Sequence, residues 1–413
     1  MKRFRASAIT LAVLAVGCKE PVGPPPKITE LPRALTASEQ SLIERDNRFA
    51  IKLLKQVNAD TRDTMPNLFV SPLSVAMALA MTYNGAATTT AEAMRATLEL
   101  DGMTVPEVDE SYRSLIALLR GLDPHVKFQI ANSIWYDLGL VVEQPFIAAN
   151  RTYFDAQVES LDFRSSTAAQ TINNWVDQHT NGLIHEIVSN PLPDDALMFL
   201  INAIYFKGDW TQQFNKELTA PRPFRLDDGT TVNVPTMTVG KEVPIRTASM
   251  PAARVIDLPY GGAAFSMTIL LPRDTASVES LVASLTLDDW NSAIASLDTT
   301  VAELYLPKFK LENNLTLKGT LIALGMGIAF SDVADFSGIR KGGGLEITDV
   351  KHRTYVDVNE EGTTAAAVTV VVMGPTSAGP PRILVDRPFL FALRENLSGT
   401  ILFMGVIRHP LPE

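Results

Sequence analysis

Cysteine is almost absent from this chain. Cys18 is the only one among 413 residues, which excludes an internal disulfide. Histidine is scarce as well, with five scattered copies. His179 and His185 stand on either side of Asn181-Gly182, whereas a metal pair wants closer, same-face spacing and further ligands; no metal is expected. There is no G-x-S-x-G elbow, no P-loop and no H-E-x-x-H. The chain therefore reads as a non-enzyme that needs no cofactor. Basic residues form no cluster beyond the extreme N-terminus, which argues against nucleic acid as a partner. The net charge of −10 suits an acidic surface that meets basic partners.

What is present is the composition of a soluble globular protein, 46% hydrophobic and 20% charged, with enough material for a large core. Length alone suggests two or three domains. The N-terminus stands apart. Lys2, Arg3 and Arg5 precede an apolar run, Ala6 to Val16, that is too short to span a bilayer. It ends in Ala15-Val16-Gly17-Cys18, which resembles the bacterial lipobox. The resemblance implies a signal peptide over residues 1–18 and lipidation at Cys18, giving an exported protein anchored to a bacterial cell-envelope membrane. A plain secretory signal, with a secreted or periplasmic product, is the alternative. Residues 19–35 are Pro-rich and read as an extended tether.

The most unusual stretch runs from Glu360 to Ser377. Between Thr363 and Met373 it holds only Thr, Ala, Val and Met, with no charge, Gly or Pro. Val and Thr favour extended backbone. Glu360-Glu361-Gly362 bounds it on one side; Gly374-Pro375-Thr376-Ser377 and Gly379-Pro380-Pro381 bound it on the other, with turn and loop chemistry. It reads either as a buried strand followed by a turn or as a strand-competent segment tethered to an exposed, cleavable loop.

The body of the chain gives clearer local signals. Thr36 and Glu39 form a capping box, followed by Leu42, Phe49, Leu53 and Val57 at helical spacing. Ser71 and Pro72 open a helix nearly all of whose faces are apolar, and Asn84-Gly85 closes it. Helices are expected over Thr90 to Leu100, Pro106 to Leu122 and Leu315 to Leu324, with two short ones over Val278 to Ser296. A further helix starts at Ala168 and breaks at Asn181-Gly182. Strands are expected over Val126 to Trp135, Leu197 to Trp210, Arg254 to Pro259, Phe265 to Leu271, Leu304 to Leu311 and Thr400 to Val406. Asp228-Gly229 marks a hairpin turn. Asn202 is a lone amide in an apolar strand and needs a partner.

E-E-G-T-T-A-A-A (Glu360 to Ala367) closely resembles the hinge of the reactive-centre loop of serpins, the serine protease inhibitors. I-L-V-D-R-P-F-L-F-A-L (Ile383 to Leu393) resembles the signature that follows that loop. The likeness runs over about residues 36 to 410 without a domain-sized gap. It replaces the length prior with one domain over residues 36–413, and its reactive-centre loop is placed at about residues 360–382. It implies an α+β serpin fold, with about nine helices around three β-sheets, one of them a large central mixed sheet. It assigns Glu360, Gly362, Thr363, Ala365, Ala366 and Ala367 to the hinge. Ser71, Ser74, Asn202 and His352 fall at the shutter, where Asn202 is expected to bond across to His352. Trp210 falls at the breach, the upper end of the sheet where the loop first enters.

Counting along the hinge by the family's spacing puts the scissile bond at Thr376–Ser377, with Met373–Gly374 and Ser377–Ala378 as the nearest competitors. A Thr bait behind Pro375 and Met373 suits an elastase-like or subtilisin-like pocket, not a trypsin-like one. The implied activity is suicide-substrate inhibition, in which a serine protease is held covalently while the cleaved loop enters the central sheet as a new strand. The small residues after Gly362 favour insertion. A non-inhibitory serpin, acting as a binding or structural surface protein, is the alternative. The protein is expected to be a monomer outside its protease complex.

Overall fold

The structure, a computed structural model, describes residues 25–363 and 381–410. Cys18, Ala365, Ala366, Ala367, Thr376 and Ser377 lie outside the described residues. In chain order the first elements are α1 (Ala37–Thr61), β1 (Asn67–Val70), α2 (Pro72–Tyr83), α3 (Thr88–Thr97), α4 (Val105–Leu119), β2 (Val126–Asp137), α5 (Gln144–Tyr153), β3 (Ala156–Leu161) and α6 (Ala168–His179). The middle of the chain is almost all strand: β4 (Met198–Asp209), β5 (Ala220–Arg225), β6 (Thr231–Thr238), β7 (Val243–Ser249), β8 (Ala253–Tyr260) and β9 (Phe265–Pro272). Then follow α7 (Val278–Ser284), α8 (Leu287–Ala295), β10 (Asp298–Pro307), β11 (Phe309–Thr316), α9 (Lys318–Leu321), β12 (Lys351–Val358), β13 (Gly362–Thr363), β14 (Arg382–Leu384), β15 (Phe389–Glu395) and β16 (Ile401–Ile407).

Local chemistry explains several boundaries. Thr36 and Glu39 close a reciprocal capping box on α1, and Ser71 caps α2 with Pro72 in its first turn. Each satisfies backbone donors that a helix start leaves open. α6 stops where Asn181 and Gly182 turn to positive φ, +52° and +75°, a region that Asn and Gly tolerate best.

Two expectations fail in detail. The Leu304–Leu311 stretch is not one strand, because β10 ends at Pro307 and β11 begins at Phe309 in a different sheet. The helix expected over Leu315–Leu324 is only Lys318–Leu321 and runs into a π turn. Leu315 belongs to β11, whose strict inside–outside alternation is a period of two, not 3.6. Leu311, Leu315 and Leu317 fit a period of two while Leu317, Leu321 and Leu324 fit 3.6, so spacing alone does not place the boundary.

Among the described residues nine α-helices surround three sheets. One sheet has the order β11-β12-β13-β4-β2-β3. The other two share β10: it pairs with β7 through Asp298–Ala302 and with β6 through Tyr305–Pro307, while β14 pairs alongside at Glu303–Tyr305. The main core lies between the six-stranded sheet and the sheet of β8, β9, β15 and β16. Phe206 in β4 meets Phe265 at 5.9 Å and Phe403 at 6.5 Å, and Phe69 in β1 stacks on Phe403 at 5.0 Å. Each buried Phe contributes about 2–3 kcal/mol. α6 covers the other face of the six-stranded sheet through a second cluster, in which Trp175 packs edge-on to Trp135.

Residues 25–36, ahead of α1, form an arm laid on the body. Ile28 donates its N–H to the Gly262 carbonyl at 2.7 Å. A Cβ at Gly262 would come within 2.8 Å of the Pro26 carbonyl oxygen, so glycine is required for this approach.

Candidate functional site

The site is built around β13. Gly362 pairs with Asp209 and Thr363 with Gly208 of β4, while Thr363 pairs on its other side with Val358 of β12. Both pairings are antiparallel. Among the described residues β4 and β12 have no pairing with each other; β13 alone bridges them. A Cβ at Gly362 would overlap the Gly208 carbonyl oxygen and lie 2.7 Å from Asp209 Cα. Only glycine permits this contact, so the glycine before Thr363 is a steric requirement.

The turn leading into β13 is fixed by β4 and the segment after it. Trp210 donates its backbone N–H to the Glu361 carbonyl at 2.9 Å and its indole N–H to the Asn359 carbonyl at 2.9 Å. Phe214 N–H donates to the Glu360 carbonyl at 2.9 Å. The Trp210 ring stacks on Tyr260, 4.3 Å between centroids and 12° from parallel. The Tyr260 hydroxyl lies 3.0 Å from Thr363 Oγ1. Tyr260 is fully buried, and burial pushes its ionisation well up, so it stays a neutral phenol that can donate.

Glu360 is 4% exposed. Lys308 Nζ reaches both its carboxylate oxygens, at 2.9 and 3.1 Å, and the Thr219 hydroxyl donates to one at 2.7 Å. Burial alone would raise this carboxyl; the hydrogen bonds from Lys308 and Thr219 outweigh it and hold the group below its ordinary range.

Lower in the sheet, Ser71, Ser74, Asn202 and His352 are brought together, but the expected bond between Asn202 and His352 is absent. His352 Nε2 accepts from the Ser71 backbone N–H at 2.9 Å. Burial lowers its pKa to about 4, so the ring is neutral and carries its proton on Nδ1. The Ser71 hydroxyl donates to the Leu402 carbonyl at 2.8 Å, and the Ser74 hydroxyl to the Asn202 carbonyl at 3.3 Å. Asn202 turns its amide the other way, donating to Asn132 Oδ1 at 2.6 Å. Its own Oδ1 is buried without a partner. The physical reason is the separation of β4 from β12: with no direct ladder between them, each side chain takes the nearest partner on its own side. For Asn202 that is its cross-strand neighbour in β2.

Tyr260, Gly208, Asn132 and the pairing of Lys308 with Glu360 are not legible in the sequence. Tyr260 does precede Gly261-Gly262, a turn signal, but nothing local ties it to Thr363.

Residues 44–410 match the family profile described as Serpin (serine protease inhibitor). This chain belongs to the serpin family. Iripin-2 of Ixodes ricinus is 34% identical over 375 residues, spanning 89% of this chain and 94% of the relative. The leukocyte elastase inhibitor of Bos taurus is 34% identical over 382 residues, spanning 90% and 100%. The solved structure of human thyroxine-binding globulin with its ligand superposes with a TM-score of 0.80 at 27% identity, covering 91% of this chain and all of the other. The serpin fold is therefore established for this chain. One of these similar proteins is named for inhibiting a protease and another for binding a small ligand.

Proposed function

We propose that this serpin is a suicide-substrate inhibitor of serine endopeptidases with elastase-like or subtilisin-like specificity. The reading rests above all on β13: Gly362 and Thr363 lie at the upper end of the interval between β4 and β12, hydrogen-bonded to both. A protease attacks the loop that follows, forms its acyl-enzyme at Thr376 and frees residues 363–376 as a new strand end. Those residues then enter the interval behind Thr363, antiparallel to both neighbours, and extend a pairing that β13 has begun. A strand of that length spans about 45 Å at ~3.3 Å per residue. It carries the attached protease to the far end of the sheet, where the acyl bond is trapped.

The small side chains Thr363, Ala365, Ala366 and Ala367 support insertion, since none has to bring a charge or bulk into the sheet. In the same reading Ser71, Ser74, Asn202 and His352 form the floor over which β4 and β12 part. Trp210 with Tyr260 forms the gate. Export, a lipid anchor at Cys18, a bacterial membrane as its site and a monomeric state belong to the proposal as well. Among the described residues no helix is long and apolar enough to cross a membrane.

Incubation with a panel of subtilisin-like, elastase-like and trypsin-like enzymes tests it. An SDS-stable complex with one of the first two is expected, with a released fragment beginning at Ser377 by mass spectrometry. Cleavage without any complex would support the non-inhibitory alternative, and a complex with the trypsin-like enzyme alone would reject the assigned bait.

A further inference from the structure

Where the sheet of β8 and β9 meets β14, Arg254, Arg273 and Arg387 converge on a cleft of about 210 Å³, with Leu271, Ile383 and Leu384 as its apolar walls. The three arginines come from distant parts of the sequence: β8, the turn after β9 and the segment after β14. No basic run in the sequence announces them, and the chain as a whole carries −10.

The donors are unevenly used. Arg387 gives Nε to the Pro272 carbonyl at 2.8 Å and Nη1 to Asp386 at 2.8 Å. Arg273 gives Nε to the Met250 carbonyl at 3.2 Å. The acid lining the cleft, Asp274, is shared between Arg225 at 3.3 Å and Arg387 at 3.7 Å. Arg254 is half-buried, and among the described residues it has no hydrogen-bond or ion-pair partner. Burial and the positive charge of Arg273 both work against its protonated state. An always-charged fork of five donors facing another guanidinium, against apolar walls, lacks an acceptor.

We infer that this cleft is an oxyanion-binding site, taking a phosphate, sulfate or carboxylate group between Arg254 and Arg273. Arg387 forms the third side. A tetrahedral oxyanion has acceptors for several guanidinium donors at once. The cleft holds one such group, not a polymer. Its walls include Ile383 and Leu384, so a bound anion also braces β14 against β8 and β9. The inference does not depend on the inhibitory reading, and its test uses no protease.

The test is thermal denaturation and calorimetric titration of the full chain at constant ionic strength. Inorganic phosphate and a sugar monophosphate are each compared with chloride, so that a free and an ester-linked oxyanion are both tried. Phosphate in either form is expected to raise the midpoint of the parent and to bind at one site. Arg254→Gln and Arg273→Gln should each weaken binding about tenfold or more, the loss of a charge-assisted hydrogen bond. Without anion, Arg254→Gln should melt at or above the parent temperature, because it removes an uncompensated charge; an arginine with a purely structural role would melt lower. Should a glutamine variant fail to fold, Arg254→Lys keeps the charge and is expected to bind more weakly than the parent. No stabilisation by either phosphate, or equal stabilisation of parent and variants, as a general salt effect gives, overturns the site.

Discussion

Replacing Lys308 by Met removes the cation that neutralises Glu360 at the turn into β13. Glu360 is 4% exposed and keeps only the Thr219 hydroxyl as a side-chain donor. Breaking a fully buried ion pair costs about 3–5 kcal/mol. The Lys308 side chain is 35% exposed, so solvent screening reduces the expected loss to about 2 kcal/mol at pH 7. The pH dependence carries a sign. In the parent, Glu360 lies below its ordinary value of 4.5, so its stabilising contribution is complete above that value and fades as pH falls through the lower folded one. In Lys308→Met, burial raises the carboxyl instead, and the variant recovers by taking up a proton. The gap between the two proteins therefore narrows from pH 7 to pH 4. The assay is the first urea transition, followed by tryptophan fluorescence because Trp210 donates to Asn359 and Glu361 in the same turn. Glu360→Gln combined with Lys308→Met should regain most of the loss. Equal stability of Lys308→Met and parent at pH 7, or a loss that stays constant down to pH 4, would mean that Lys308 does not neutralise Glu360.

Other outcomes follow from the same geometry. His352 has a folded pKa of about 4 against an ordinary 6.5, so its contribution is complete above pH 6.5 and is lost as pH falls from 6.5 to 4. The total is about 3 kcal/mol at ~1.4 kcal/mol per unit, and His352→Gln should flatten acid denaturation over that window. Gly262→Ala should push the Pro26–Ile28 arm off the body without unfolding it, seen as faster limited proteolysis ahead of Thr36; unchanged proteolysis would mean that the arm contact is dispensable. Thr363→Arg places a charge at a position 3% exposed and should turn the proposed inhibitor into a substrate, with cleaved product replacing SDS-stable complex. Trapping as efficient as the parent's would contradict the insertion account.

Much of this fold announced itself locally. The Thr36 capping box, the Ser71 cap with Pro72 and the Asn181-Gly182 stop depend on neighbours a few residues away, and each stands where the residues indicate. What failed depends on distant partners. Pro307-Lys308 marks a change of sheet that no window around it reveals, and Leu315 sits on a strand because β12 pairs with it. The site divides in the same way. Gly362 is legible as part of a motif, and the reason for a glycine there, the Gly208 carbonyl beneath it, is not. A lone amide in an apolar strand needs a partner, and Asn202 has one in Asn132. Its choice of Asn132 over His352 turns on whether β4 and β12 touch, which is a property of the sheet and not of either strand. The arginine cleft escapes sequence reading for a like reason, since its members are isolated in the chain.

In the proposed mechanism the uncut serpin is held above its lowest free energy and relaxes when its loop is cut. Thermal denaturation of intact protein beside protein nicked at Thr376–Ser377 measures this directly. The nicked form is expected to melt far higher, because the freed strand joins β4 and β12 throughout their length. A nicked form that melts at or below the intact one would contradict it.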